Sequence, residues 1–166
     1  MIECILINSS ECRMPKTFIN QWVLEIYFFL QEKKMSVQKG TVPNKKHGTS
    51  KSQLMQKNQN LTVIFLDSTP AKKLNLKFRK KNYATDVLSF DGDGFESLGE
   101  LVLCPQVLQK QAEEHDLSFR QELGYMLIHG ILHLIGYDHE KNQKEAQKMF
   151  QIQDEMFDQL CRKFWK

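Results

Sequence analysis

The segment LTVIFLD, residues 61–67, decides the fold class of this chain of 166 residues. It combines β-branched and aromatic residues and is closed by a polar turn, which is typical of a buried strand. Ser68 or Thr69 can then cap a helix, and Pro70 suits its first turn, so the sequence predicts a short helix to about Lys80. A strand that leads directly into a helix predicts helices packed on a sheet.

The same patterns extend to both sides of this segment. Further strands are predicted at residues 2–8, 87–90 and 99–105, the first of them as a buried strand. Further helices are predicted at residues 17–35, 105–114, 118–134 and 141–162. The sequence therefore predicts a single α/β (α+β) domain over residues 1–166, with a small mixed sheet of about four strands packed with about five helices.

Residues 36–60 interrupt this pattern with a polar, basic stretch that has no periodicity. We predict a basic, mobile surface insertion here, because a structureless stretch of this length is unusual inside a compact domain. Residues 32–85 contain thirteen Lys or Arg against two acids, whereas residues 86–166 contain eight basic and fifteen acidic residues. Such a basic segment is expected either to contact a polyanion or simply to form a solvated surface.

Composition excludes several classes of protein. The chain is 41% hydrophobic with 8 Gly and 4 Pro, which disfavours disordered and fibrous chains. No run of about 18 apolar residues is present, so no membrane span is expected. Residues 1–20 lack the pattern of a secretory signal, and the four scattered cysteines fit reduced thiols, so we expect a cytoplasmic protein without membrane or secreted partners.

The segment HGILHLIGYDH, residues 129–139, contains the most informative motif. His129 and His133 are four residues apart near a predicted helix end, so both imidazoles project from one face. Gly136 suits a left-handed helix end, after which the chain returns His139 to the same point. Three imidazoles without a fourth protein ligand predict an open metal site, and imidazole suits zinc as well as other divalent transition metals.

The spacing of these histidines is also that of metzincin proteases. Here Gly130 occupies the position at which those proteases carry their Glu general base. A closed structural metal site is the alternative, but such sites normally use four protein ligands and often cysteine, and no cysteine is near the motif. The motif therefore favours an open site with the ligand geometry of those proteases but without their general base.

A second cluster, LNLKFRKKNYATDVLSF, spans residues 74–90. Cations suit phosphates and aromatic faces suit unstacked bases, so the cluster is compatible with RNA binding. An ordinary basic helix end next to core aromatics is the alternative. The candidate residues are Arg79, with Lys77, Lys80 and Lys81 around it and Phe78 and Tyr83 between them. We expect Thr85 and Asp86 to brace the entry of the following strand.

Together, HGILHLIGYDH, LN-x3-R-x5-TDVLSF and the LGELVL strand resemble the YbeY family of bacterial rRNA-maturation endoribonucleases. The resemblance runs from about residue 61 to the last helix. It implies a mixed sheet with helices around it, one zinc-type metal held by His129, His133 and His139, and an important arginine at Arg79. It also implies a role in processing the 3′ end of small-subunit rRNA and in ribosome quality control. His115 receives no role from it.

The predicted function is accordingly a metal-dependent, single-strand-specific endoribonuclease that acts in 16S rRNA 3′-end maturation and ribosome quality control. Its expected partners are single-stranded RNA, rRNA and the small ribosomal subunit. Two alternatives stay open: a non-catalytic RNA-binding ribosome-assembly factor that uses the metal for shape, and a metzincin-like metalloprotease. In the nuclease, Arg79 would clamp a phosphate and Lys77, Lys80 and Lys81 would hold flanking phosphates.

Overall fold

A computed structural model describes residues 2–33 and 58–165 of the chain. In these ranges it contains four strands, β1 (Glu3–Asn8), β2 (Asn60–Phe65), β3 (Val87–Asp91) and β4 (Ser97–Leu103). It contains five helices, α1 (Lys16–Glu32), α2 (Ser68–Arg79), α3 (Pro105–Glu114), α4 (Phe119–Leu134) and α5 (Gln143–Phe164). The predicted α/β class, with four strands and five helices, is confirmed.

The strands form one mixed sheet in the order β1-β2-β4-β3. β1 and β4 each run parallel to β2, whereas β3 pairs antiparallel with β4. Consecutive strands β3 and β4 therefore form a hairpin at one edge of the sheet. The Leu88–Val102 pair lies within this hairpin, and both residues are buried.

Helix α4 lies at the centre of the molecule. It packs on β3 and β4 and also contacts α1, α3 and α5. The indole of Trp22, fully buried in α1, donates a hydrogen bond to the carbonyl of Gly124 over 2.9 Å. A Cβ atom at Gly124 would lie 2.7 Å from the Trp22 ring, so the glycine allows the two helices to approach closely. The helix that carries two of the predicted metal ligands is thus firmly held in the core.

The prediction of a buried first strand is wrong for one face of β1. Ile5 and Ile7 are 40% and 45% exposed, whereas Cys4 and Leu6 on the other face pack against the core. The reason is topological: β1 is an edge strand that pairs only with β2, and no helix covers the Ile5–Ile7 face among the described residues. Its apolar run therefore does not mean burial on both faces.

The predicted basic insertion at residues 36–60 lies outside the described residues, except for its last three. Asn58 adopts a left-handed turn, Gln59 is fully buried, and Asn60 is the first residue of β2. The prediction placed these three residues in the insertion because their polar side chains gave no strand signal. Residues 58–60 instead belong to the fold.

The composition-based expectations concern cysteines and membranes. The four cysteines, Cys4, Cys12, Cys104 and Cys161, are all free. Burial raises the pKa of the Cys161 thiol to about 11, which opposes thiolate formation at neutral pH. None of the helices in the described part of the chain is both long enough and apolar enough to cross a membrane.

Candidate active site

The end of α4 gathers the three histidines of the 129–139 segment. His129 and His133 lie one turn apart on α4, and the helix ends at Leu134. The N–H of Gly136 donates to the carbonyl of His133 over 2.9 Å, and Gly136 has a φ of 101°. The N–H of the next residue, Tyr137, donates to the carbonyl of Leu132. This second hydrogen bond completes a Schellman motif at the end of the helix. This turn brings His139 back beside the helix.

The three imidazole rings converge on one point. The ring centroids of His129 and His133 are 4.8 Å apart, and His139 lies 5.1 Å from each of them. One nitrogen from each ring lies within 4.8 Å of the other two. The predicted ligand set is therefore brought together by the fold, in a spacing that could hold a single metal ion.

The second nitrogen of two of these rings is already engaged. Nδ1 of His133 lies 3.0 Å from the carbonyl oxygen of Tyr137, which can only accept, so Nδ1 carries the proton. Nδ1 of His129 lies 2.9 Å from Oε1 of Gln153, whose amide nitrogen donates to the carbonyl of Tyr125. Both hydrogen bonds direct a lone pair of the remaining nitrogen, Nε2, towards the centre of the triad.

The two Nε2 atoms of His129 and His133 face each other at 3.1 Å. With both protons held on Nδ1, these are two acceptors in contact, and a cation between them removes their repulsion. Two ligands of one zinc ion, each about 2.0–2.1 Å from the metal, have a comparable separation. The donor set therefore fits a divalent transition metal that favours imidazole.

Burial keeps two of these imidazoles in the neutral form that binds metals. Desolvation lowers the pKa of His129, and the hydrogen bond that its Nδ1–H donates to Gln153 only partly opposes this effect. Desolvation, together with the neighbouring His129 and His139, lowers the pKa of His133 to about 4. Both rings are consequently uncharged at neutral pH, so no proton has to be displaced before a cation binds.

The triad lies in the wall of a cleft of about 870 Å³. Within residues 2–33 and 58–165, no fourth His, Cys, Asp or Glu joins the three histidines. The ring of Phe150 stacks near His139, with 5.4 Å between the centroids, and lines the same cleft. A metal ion held here would thus have a coordination position open to a molecule in the cleft.

Packing favours a glycine directly after the first histidine. Gly130 lies on the side of α4 that faces β4, and a Cβ atom there would lie 2.7 Å from a methyl group of Leu101. Leu101 is fully buried in the sheet. A side chain at this position would have to displace the methyl groups of Leu101, so the packing of α4 on β4 disfavours a protease-like glutamate here.

Arg79 lies in the same cleft as the three histidines. It is the last residue of α2, and its guanidinium forms an ion pair with Glu140 over 2.6 Å. Of the neighbouring lysines named in the sequence, Lys81 also lines the cleft. Lys77 and Lys80 do not line it: Nζ of Lys80 donates to the carbonyl of Lys77, and Nζ of Lys77 lies over the exposed ring of Phe78.

The loop between α2 and β3 is held by two polar side chains of the second motif. The amide of Asn75, fully buried, donates to the carbonyl of Tyr83 over 2.8 Å. One carboxylate oxygen of Asp86 accepts from the hydroxyl of Thr85 and the N–H of Val87, and the other accepts from Gln111. The expectation that Thr85 and Asp86 brace the strand entry is confirmed.

The cleft itself is less basic than the sequence suggests. More carboxylates than cationic side chains line it. The three cations are Arg79, Lys81 and Lys141, and the five carboxylates are Asp86, Asp91, Glu122, Asp138 and Glu140. Several of these acids already have donors: Arg79 faces Glu140, and the backbone N–H of Glu140 donates to Asp138. Binding of a polyanion in this cleft therefore depends on the positive charge that a bound metal contributes.

Sequence reasoning missed Gln153, which orients His129. Its signal is nevertheless visible: Gln153 interrupts the buried stripe of α5 formed by Met149, Met156 and Leu160. A fully buried amide in an apolar stripe needs hydrogen-bond partners, and here these are His129 and the carbonyl of Tyr125. The ion-pair partner of Arg79 was missed for a different reason, since Glu140 lies 61 residues away along the chain.

Comparison with known proteins agrees with these features. The family model described as Endoribonuclease YbeY matches residues 28–161. The chain belongs to the YbeY family. Endoribonuclease YbeY of Bdellovibrio bacteriovorus is 46% identical over 162 residues, which cover 98% of this chain and 97% of that protein. The resemblance inferred from the sequence motifs is confirmed.

Other YbeY relatives match a shorter part of the chain. Endoribonuclease YbeY of Persephonella marina is 43% identical over 109 residues, covering 62% of this chain and 71% of its own length. A solution structure of a Thermotoga maritima protein superposes with a TM-score of 0.60 and covers 99% of this chain and 91% of its own. Its sequence is 24% identical, so this likeness concerns the fold alone.

Proposed function

We propose that this YbeY-family chain is a metal-dependent, single-strand-specific endoribonuclease. One observation carries the proposal: three imidazoles converge in the wall of a cleft that also contains Arg79. The cleft thus pairs a site for a divalent cation with a guanidinium suited to phosphate. The curated relatives with extensive similarity are named endoribonucleases, which supports hydrolysis of RNA phosphodiesters.

His129, His133 and His139 would hold one Zn²⁺ per chain through one nitrogen each. When bound, such an ion supplies a Lewis acid and lowers the pKa of a coordinated water towards neutrality. Gln153 and the Tyr137 carbonyl keep two of the ligand rings in the correct tautomer. Since imidazole also suits nickel, copper and iron, metal analysis of the purified protein decides between zinc and these metals.

Arg79 binds the non-bridging oxygens of the phosphate that is cleaved. Its planar guanidinium matches phosphate geometry and stabilises the negative charge that develops during displacement. In the free protein this guanidinium is paired with Glu140, so substrate binding exchanges a carboxylate for a phosphate. Lys81 lines the same cleft and holds a flanking phosphate without reading sequence.

The biological substrate we propose is the precursor of 16S rRNA, at its 3′ end, on the small ribosomal subunit, with a related role in ribosome quality control. A cell that lacks the protein is then expected to accumulate 16S rRNA with an unprocessed 3′ end. Complementation with the wild-type gene restores processing, and complementation with His133→Ala does not. Normal 3′ ends in the deletion strain would refute this assignment.

The nuclease assay tests the activity itself. Purified, zinc-loaded protein is expected to cut single-stranded RNA, and His133→Ala is expected to lose both stoichiometric zinc and cleavage. His47→Ala, a histidine outside the motif, is the matched control and keeps both. Full zinc content in His133→Ala would disprove the ligand assignment, and RNA binding without cleavage would indicate the non-catalytic assembly factor instead.

Whether the basic insertion at residues 36–60 contacts RNA can be measured separately. Because residues 58–60 belong to the fold, the deletion should span residues 38–57, which contain five lysines. If these lysines contact phosphates, the deletion weakens RNA binding and flattens its dependence on salt concentration. An unchanged salt dependence would mean that the insertion is a solvated segment.

A further inference from the structure

A second polar pair lies in the cleft, apart from the three histidines. Nδ1 of His115 lies 2.9 Å from Oε2 of Glu122. The side chain of Glu122 is only 1% exposed, whereas that of His115 is 52% exposed and lines the cleft. Glu122 is thus a buried carboxylate whose ion-pair partner faces solvent.

The surroundings of this pair favour the imidazolium form of His115. Glu122 from α4 raises the pKa of His115 by its hydrogen bond and its charge, and Glu114 of α3 adds to this effect. His115 also caps the C-terminal end of α3, where a helix dipole favours a cation. With Nδ1 donating to Glu122, Nε2–H is the donor left for a ligand.

Glu122 lies on the same face of α4 as the metal-ligand candidates. Glu122 and His129 are seven residues apart, which corresponds to two turns or about 10 Å along the helix. Proton transfer requires a heavy-atom distance of about 3 Å or one intervening water. The pair is therefore assigned no proton transfer at the triad, since Glu122, which holds His115, lies two turns of α4 away from His129.

We propose that His115, oriented by Glu122, is a second phosphate-binding site of the cleft, for an RNA phosphate next to the one that is cleaved. This inference rests on the proposed nuclease function and specifies how its substrate is held. An extended single strand that follows α4 from the triad passes His115. His115 is thus a positioning residue for the substrate, and Glu122 fixes its tautomer and its charge.

The contact is expected to depend on pH in a defined direction. Below the raised pKa, His115 is a cation that releases counterions when it binds a phosphate; above this pKa the ring is neutral and the electrostatic contribution disappears. Affinity for single-stranded RNA is therefore expected to fall as pH rises through the pKa of His115. Glu122 and Glu114 are the charged groups that act on the ring from α4 and α3.

The test uses the full chain, zinc-loaded, and a 2′-O-methyl oligoribonucleotide, whose 2′ oxygens cannot attack the phosphate and whose intact length is checked on a gel after each measurement. At about pH 6, His115→Gln is expected to weaken binding roughly threefold to tenfold and to reduce the salt slope by about 0.7, as for one lost phosphate contact. At about pH 8.5 the same variant is expected to bind like the wild type. Lys73→Gln removes an exposed cation of α2 that does not line the cleft and is expected to change neither value.

Two further variants separate this role from a structural one. His115→Lys keeps a cation at both pH values, so it is expected to restore at about pH 8.5 the affinity that the wild type has at about pH 6. Glu122→Gln removes the carboxylate that stabilises the imidazolium, so the fall in affinity is expected at lower pH than in the wild type. Circular dichroism checks that each variant is folded.

Equal loss of affinity in His115→Gln at both pH values, or no loss at either, would overturn the second phosphate site. Failure of the nuclease function has a different signature, because it is measured by cleavage of ordinary RNA by the wild type. Wild-type cleavage together with a pH-independent effect of His115→Gln refutes only the inference about His115. A wild type that binds the RNA with the predicted His115 dependence and does not cut it refutes only the nuclease.

Discussion

Oε1 of Gln153, on α5, lies 2.9 Å from Nδ1 of His129, on α4. The pair joins two helices whose other contacts are mainly apolar, and it orients the ring that supplies one nitrogen to the triad. Because the amide nitrogen of Gln153 donates to the Tyr125 carbonyl, the orientation of this amide is fixed by α4 itself. Gln153 thus links the packing of α5 on α4 to the metal site.

We expect Gln153→Leu to weaken zinc affinity about 10-fold to 100-fold, as is usual when a partner of a metal-bound histidine is removed. Leucine continues the apolar stripe of α5, so the metal-free protein should keep its stability. Competition with a chromophoric chelator gives the affinity, and urea unfolding gives the stability. Gln153→Glu keeps an acceptor at this position and is expected to retain zinc; equal losses in both variants would contradict an orienting role.

Gly130 offers a test of the close packing between α4 and Leu101 of β4. We expect Gly130→Ala to lower the free energy of unfolding by about 1–3 kcal/mol, because its Cβ meets Leu101 at 2.7 Å. In a Leu101→Ala background the added methyl group has space, so the same substitution should cost less. Urea unfolding of the four proteins in this double-mutant cycle measures the coupling. Identical costs in the two backgrounds would mean that Leu101 does not restrict this position.

Substitutions in the Arg79–Glu140 ion pair distinguish an effect on substrate binding from an effect on metal binding. We expect Arg79→Ala to reduce cleavage of single-stranded RNA and to leave zinc content intact, since Arg79 stabilises charge on the phosphate. Glu140→Gln frees the guanidinium and is expected to tighten RNA binding. Lys77→Ala removes a cation of the same helix that does not line the cleft, and it serves as the matched control. Parallel loss of zinc and activity in Arg79→Ala would assign a structural role to Arg79.

The sequence was sufficient for the parts of the site that depend on local geometry. The i, i+4 pair His129 and His133 and the turn at Gly136 follow from helix periodicity and from glycine stereochemistry, so the triad could be predicted. The pairing of Gln153 with His129 and that of Glu140 with Arg79 could not, because these partners are brought close by packing of α5 on α4 and by the position of α2. Pattern alone gives no such long-range pairing.

The exposed face of β1 illustrates the same limit for the fold. Residues 2–8 are apolar enough for a central strand, yet Ile5 and Ile7 face solvent because β1 is at the edge of the sheet. Strand order depends on which segments pair, and the composition of one strand does not determine it. The number and type of the elements were predictable, whereas their neighbours in the sheet were not.

The lowered pKa of His133 predicts how the zinc-free protein responds to acid. His133 has a pKa of about 4 in the folded state against an ordinary value of 6.5, so between these values the unfolded chain binds more protons. Stability should therefore fall as pH decreases from about 6.5 to about 4, and the lowered pKa of His129 acts in the same direction. Urea midpoints of the zinc-free protein across this range measure the effect. His133→Gln has no such proton to bind and is expected to show a shallower decline; wild-type and variant curves that run parallel would contradict the burial of a neutral imidazole at this position.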